Sequence, residues 1–350
     1  MTCAWRSTPW RQPTPHRLPH VADAAPEAVG ADTPALNAAR AAHTARELRW
    51  LLLSPPLLDT TSGAHPAAIQ QFTPAERQAI AQWLGDVDRD PEPLWRFVHP
   101  GVPADVDAAR WRAPSPRLGR RAERLMEYFL RHGPAHLLLA ANVALREVSA
   151  QGLRTTTGEI DFLLQDAQGQ RWQWELAVKF YLCTARGAQA TPADFIGPDH
   201  IDTLGTKLNK MFGRQLRHTP PAPWDADLWT PAACTRGRLF YRWGDAIPDT
   251  PGVAADHLRG DWIERDRLGE VADADQPIWQ VVPRSDWMAP PLPLDVAPPR
   301  TLLDIACQID SQAEARSASG PPTSTLVVRL DADAGSAAPA ARPLFIVSAT

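Results

Sequence analysis

Lysine is almost missing from this chain. Of its 36 lysines and arginines, only Lys179, Lys207 and Lys210 are lysine. Arginine has taken the other basic positions in a sequence rich in Ala, Arg and Pro, as expected of a GC-rich genome. A lysine that survives such a bias is expected to be kept for its compact ammonium, whose pKa responds to burial as a guanidinium's does not. Cysteine is scarce as well. Cys3, Cys183, Cys234 and Cys307 stand far apart with no C-x-x-C pair. That excludes a zinc ribbon or a thioredoxin-type site and points to reduced thiols. Long apolar runs are lacking: the greasiest, Leu48 to Leu58, is broken by Arg49 and by Pro55-Pro56, too short to span a bilayer. Met1 to His20 has no apolar signal-peptide stretch. A soluble cytoplasmic protein with no membrane partner is expected. There is no P-loop, no GxGxxG, no GxSxG and no internal repeat, so nucleotide-cofactor and serine-hydrolase chemistry have no motif behind them.

What is present fits a globular protein. The 350 residues are 44% hydrophobic and 22% charged, enough for a sizeable core. The net charge of −4 argues against a sequence-blind nucleic-acid coat and leaves room for a local basic groove.

Residues 1–35 are Pro- and Ala-rich without periodicity and are expected to be disordered. Residues 36–110 read as a helical region. Ala38 to Leu53 has helical spacing and stops at Pro55-Pro56. Thr73-Pro74-Ala75-Glu76 is a capping box, opening a helix expected to end at Gly85, with Asp86, Asp88 and Asp90 in a polar turn. Trp50, Trp83 and Trp95 are expected packing anchors. Residues 111–290 carry the informative pattern. A helix from Arg117 closes at Gly133-Pro134, and His136 to Arg146 reads as a buried strand, with a helix as the alternative. Strands Gly158–Gln165 and Arg171–Leu182 flank a turn at Gly169. Asp199 to Arg217 reads as a helix and Arg238 to Trp243 as a short strand. Residues 291–350 read as a Pro-rich linker, then β-rich runs at Thr325–Leu330 and Leu344–Ser348 able to pair as a hairpin.

Side chains two apart on a strand share a face. Glu159 and Asp161 therefore point one way, and Glu175, Ala177 and Lys179 share a face of the next strand. The short turn makes these strands antiparallel neighbours. Carboxylates beside a lysine suit a Mg²⁺ or Mn²⁺ site, since Mg²⁺ takes one or two carboxylates with waters and phosphate oxygens. The same residues also suit a surface ion pair on a hairpin, and both readings stand. Lys207, Lys210, Arg214 and Arg217 recur at spacings of three, four and three. They form either a phosphate-binding stripe or a solvated helix face, with Gln215 beside it. His16 and His20 are read as solvent-exposed, Cys183 as a small buried residue, and His200 as a weak catalytic candidate.

The order helix, three strands, helix, strand, with Asp161 and Lys179 on adjacent strands, resembles the PD-(D/E)XK nuclease superfamily. More closely, Leu48-Arg49-Trp50-Leu51-Leu52-Leu53-Ser54-Pro55, Gly158-Glu159-Ile160-Asp161-Phe162 and Trp174-Glu175-Leu176-Ala177-Val178-Lys179-Phe180-Tyr181-Leu182 resemble a bacterial family known only as domain of unknown function eighteen-fifty-three. The resemblance covers the chain from about residue 40 to 290, with the end of the chain as its wider bound. It implies an α/β, restriction-endonuclease-like core, with a helical N-terminal region and C-terminal strands. It also implies Mg²⁺-dependent cleavage of nucleic acid. Asp161, Glu175, Glu159 and Glu123 would serve the metal, and Lys179 the attacking water. One departure matters: the superfamily's second acid sits two residues before its lysine, where this chain has Ala177. Glu175 lies two further back, its Cα about 13 Å from that of Lys179 at strand rise. A non-catalytic binding or scaffold protein is the alternative, and a hydrolase using two carboxylates without metal is a third.

Overall fold

The computed structural model of the chain describes residues 33–61, 63, 65–100, 117–148, 154–289, 299–315, 324–330 and 342–347. The expectations for residues 1–32, including His16 and His20, and for the proline-rich stretch 290–298 lie outside the described residues.

The first helices build one side of the molecule. α1 (Thr33–Leu53) runs longer than its periodic stretch suggests. α2 (Pro74–Arg89) starts at the expected capping box: Thr73 accepts from the Glu76 N–H while the Glu76 carboxylate accepts from Thr73. It does not stop at Gly85. Buried Val87 holds one more turn against the core, so Asp86 and Asp88 are helical, paired with Arg89 and Arg49. α3 (Glu92–Val98) follows. α4 (Leu118–His132) ends at Gly133 as expected and is tied to α1 by Arg121 Nε, which donates to the fully buried Glu47 carboxylate at 2.7 Å.

The strands are β1 (Ala68–Ile69), β2 (His136–Val148), β3 (Arg154–Asp166), β4 (Arg171–Cys183), β5 (Phe195–Ile196), β6 (Thr230–Arg242), β7 (Leu258–Glu264), β8 (Trp279–Val282), β9 (Ser324–Arg329) and β10 (Leu344–Val347). They form one mixed sheet in the order β2-β3-β4-β6-β7-β10-β9-β8, with β1 added to β6 and β5 to β4. β2 is an end strand of that path and not the buried strand expected, and Leu137 on it is 60% exposed. β2, β3 and β4 are antiparallel neighbours, and β4, β6 and β7 run parallel. A parallel neighbour requires a crossover. α5 (Leu204–Gly213) supplies it between β4 and β6.

α5 spans Leu204–Gly213 and not Asp199–Arg217: Thr203 caps its start, accepting from the Thr206 N–H at 3.0 Å, and Gln215–Arg217 forms a separate turn. β6 is 13 residues long and not a short strand from Arg238. Its first half is built from Pro231, Ala232, Ala233 and Cys234, small residues that lack the usual strand signature.

The sheet carries helices on both faces. Phe162, Leu164, Trp174, Leu176 and Phe180 pack with α1, α2 and α4. On the other face Ala177 and Ala233 meet Met211 and Phe212 of α5. α6 (Leu302–Ala315) covers Ile263, Leu344 and Ile346. Trp50 and Trp83 pack against the first core as expected. Among the described residues no helix is long and apolar enough to cross a membrane.

Candidate active site

β3 and β4 pair from Gln165↔Arg171 to Phe162↔Trp174, and there the ladder stops. β4 continues beside β6 to Leu182, while β3 continues beside β2. The strands diverge a single residue before the acids. The Leu176 N–H is left without a carbonyl from β3, and the Asp161 carboxylate accepts it at 2.8 Å. Between the diverging strands lies a cleft of about 530 Å³. Asp161, Glu175 and Lys207 line it, with Glu159, Lys179, Lys210 and Arg214, and Arg120 and Glu123 of α4 also reach it.

The acids are deeply placed: Asp161 is 8% exposed and Glu175 3%. Burial pushes the Asp161 carboxyl up to about 7, opposed in some measure by the Leu176 N–H. Burial pushes Glu175 up to about 8, and the neighbouring Asp161 charge adds to the rise. In both, desolvation disfavours the charged form, and nearby carboxylates add to it, Glu123 and Glu159 for Asp161 and Asp161 for Glu175. Glu123 is raised as well, by burial. Glu159 pairs with Arg120 at 3.0 Å, and the same guanidinium holds Glu123 at 2.9 Å.

The lysines divide in a way the sequence does not show. Lys179 lines the cleft, but its ammonium donates to Asp202 at 2.7 Å, and the Tyr181 hydroxyl donates to the same oxygen at 3.1 Å. Lys207 is the one that turns to the acids. Its Nζ lies 3.7 Å from Glu175 Oε1 and donates to Gln215 Oε1 at 3.1 Å, while the Gln215 amide donates to Glu175. Burial lowers its pKa, against the pull of Glu175 and Asp161. The uniform basic stripe is therefore broken. Lys207 is half-buried, Lys210 and Arg214 are exposed at the cleft, and Arg217 lies past the helix end in the turn Gln215–Arg217, outside the cleft lining. Arg214 donates to the Thr157 carbonyl at 2.7 Å, joining the α5 end to β3.

Asp202 and Gln215 are the residues that strand periodicity misses in this role. Asp202 lies in a loop with no repeating pattern. The spacing sets Gln215 beside the basic stripe and gives no sign of its bridge to Glu175. His200 is exposed with a positive φ of 58° and is absent from the cleft lining. Cys183 is buried at the end of β4.

Among the described residues no group of three or more His, Cys, Asp or Glu is arranged to hold a metal ion. Those residues thus assemble no all-protein cage of the zinc or calcium kind. The pair Asp161 and Glu175 fits a hard cation that draws its other ligands from water and phosphate oxygens, as Mg²⁺ does. Their raised pKa values, set chiefly by burial, fit too, because a bound cation favours the charged carboxylates that burial disfavours.

Residues 46–347 match the family described as Domain of unknown function (DUF1853). No curated protein and no solved structure matches the chain.

Proposed function

The chain belongs to the DUF1853 family, a domain of unknown function, and from its cleft we propose a Mg²⁺- or Mn²⁺-dependent phosphodiester hydrolase acting on nucleic acid. The observation that carries this reading is the pair of buried carboxylates, Asp161 and Glu175, at the point where β3 and β4 diverge, facing an open cleft with a basic rim. The order α4, β2, β3, β4, α5, β6, with the two-residue β5 between β4 and α5, supports a PD-(D/E)XK-like, restriction-endonuclease-like core as its frame.

Asp161 and Glu175 would hold the cation, with Glu159 and Glu123 beside them. Bound there, the ion would polarise a phosphate oxygen and lower the pKa of water. Lys210 and Arg214 would take the flanking phosphates, with Arg217 extending the path. Lys179, braced by Asp202 and Tyr181, would orient the attacking water at the cleft edge. Asp202 fixes the ammonium in place, which is what positioning a nucleophile demands.

The test is incubation of the purified chain with single- and double-stranded DNA and RNA, with Mg²⁺ or Mn²⁺. Cleavage is expected to fall by roughly 10²-fold or more in Asp161→Asn and Glu175→Gln. Cleavage unchanged in both Asp161→Ala and Lys179→Ala would sink the assignment. A second reading, a non-catalytic binding protein on the same frame, is favoured by Ala177 and by the Gln215 and Lys207 contacts to Glu175. The two separate by thermal shift. A working site gains stability from Mn²⁺ by mass action and loses that gain in Asp161→Asn, whereas a binding scaffold responds in neither.

A further inference from the structure

Lys207 owes its direction to α5. Leu204, three residues before it, and Met211, four after, are both buried, so Lys207 projects from the packed side of the helix. Its side chain is 15% exposed and that of Glu175 4%. Gln215 fixes both: its amide donates to Glu175 and its carbonyl accepts from Lys207. The Gln215 backbone is held in turn by Gln173 Nε2 at 3.3 Å. An ammonium is thus clamped beside a carboxylate pair that has no other lysine within ion-pair distance among the described residues.

We propose that Lys207 is a tethered counter-ion of the Asp161–Glu175 pair, competing with a divalent cation for Glu175 and released toward substrate phosphate when that cation binds. The inference rests on the reading of this pair as a cation site. The physical argument is charge balance. Two carboxylates desolvated together need compensation, and an unpaired buried charge is strongly unfavourable. Lys207 supplies one positive charge where a divalent cation would supply two. Both cannot sit against the Glu175 oxygen, because two cations about 4 Å apart inside protein repel strongly. Lys210 and Arg214 line the same cleft and are exposed, and a four-carbon stem can swing an ammonium toward them. A phosphate in the cleft gives the displaced ammonium its next partner. Cation and phosphate are therefore coupled through Lys207, and the coupling is reciprocal.

The experiment measures Mn²⁺ binding to the full chain by calorimetry, and Mn²⁺-induced thermal shift, for wild type, Lys207→Met, Lys207→Gln and Lys207→Arg. The neutral variants are expected to bind Mn²⁺ roughly tenfold tighter or more, since no charge has to be displaced. Lys207→Arg keeps the charge and is expected to stay within about threefold of wild type. Inorganic phosphate is expected to tighten Mn²⁺ binding in wild type and to do so less in Lys207→Met. Equal or weaker Mn²⁺ binding in the neutral variants, with wild type binding normally, overturns the counter-ion and leaves the cation site standing. Tightening of Lys207→Arg by as much as Lys207→Met also overturns it, because charge is then not the cause. A neutral variant that unfolds alone and refolds with Mn²⁺ supports it, and one that stays unfolded with Mn²⁺ overturns it. Folded proteins that bind no Mn²⁺ in any arm overturn both this inference and the cation-dependent function.

Discussion

Asp161 and Glu175 tie the site to the stability of the whole protein through protons. Their folded-state values, about 7 and about 8, lie above the unfolded values of roughly 3.9 and 4.3. Between those limits the folded form binds more protons than the unfolded one, so stability falls as pH rises. His99, His136, His218 and His257 are shifted down, chiefly by burial, and act with the opposite sign. Their effect ends near the unfolded histidine value of about 6.5. From about pH 6.5 to 8 the carboxylate pair acts without that opposition. Scanning calorimetry without divalent cation is expected to show Tm falling by a few °C across this window. Asp161→Asn should flatten the slope, and saturating Mn²⁺ should do the same. A wild-type Tm that rises over this interval would contradict the buried, cation-free pair. Period-two spacing alone brings Glu159 and Asp161 to one face beside Glu175 and Lys179, and the structure sets all four on the same cleft. The lysine partners were not legible. Lys179 goes to Asp202 because a loop with no repeating pattern brings that carboxylate within reach, and Lys207 goes to Glu175 because α5 packs on the β4 face that carries Ala177.

At the scale of elements, two glycines that look alike in sequence behave oppositely. Gly237 pairs with Lys179 across β4 and β6 and has φ +149°. A Cβ there would lie 1.8 Å from the Lys179 carbonyl oxygen, so Gly237→Ala must push the strand bearing Lys179 aside. The expected cost is on the order of 3 kcal/mol, read as a lower urea midpoint at unchanged slope. Gly85 lies inside α2, and a Cβ there meets nothing within 4 Å. Gly85→Ala is expected to stabilise by about 0.5–1 kcal/mol, the difference in helix propensity. If instead Gly85→Ala destabilises, α2 ends where the sequence suggests. The same contrast explains which elements were legible. Capping chemistry at Thr73 and Gly133 and alternation in β3 and β4 are local signals, and those elements lie near where the sequence sets them. The start of β6 is read poorly because Ala232, Ala233 and Cys234 are small where α5 and the α1 side press close. β7 escapes a sequence reading because Arg259, Asp261 and Glu264 make it look polar, although Trp262 and Ile263 are buried.

Across the whole molecule, the C-terminal strands carry weight that the chain between Thr325 and Ser348 does not announce. β9 and β10 pair antiparallel, but β10 also pairs in parallel with β7, so the hairpin completes the central sheet. Phe345 on β10 packs edge-on against Phe240 of β6, with ring centroids 4.5 Å apart, and against Trp287 at 5.1 Å. Trp287 in turn meets Phe180 of β4 at 5.5 Å, one residue from Lys179. At the start of β9 the Ser324 hydroxyl donates to the Pro198 carbonyl at 2.8 Å, bracing the loop that carries Asp202. The far end of the chain therefore supports the cleft through a core path and a loop contact. Phe345→Ala is expected to cost about 3–5 kcal/mol, the usual result of emptying a fully buried aromatic site. Ser324→Ala should cost about 1 kcal/mol or less. A chain ending at residue 323 loses both strands and exposes the edge of β7, an invitation to aggregate. Chemical denaturation of the three variants, followed by tryptophan fluorescence, orders them. The truncated chain is expected to lack a cooperative transition, Phe345→Ala to keep one at a much lower midpoint, and Ser324→Ala to keep a nearly normal one. A truncated chain that is monomeric and unfolds cooperatively would mean the β2–β7 portion of the sheet stands alone, and the route from β10 to Lys179 would then have to be given up.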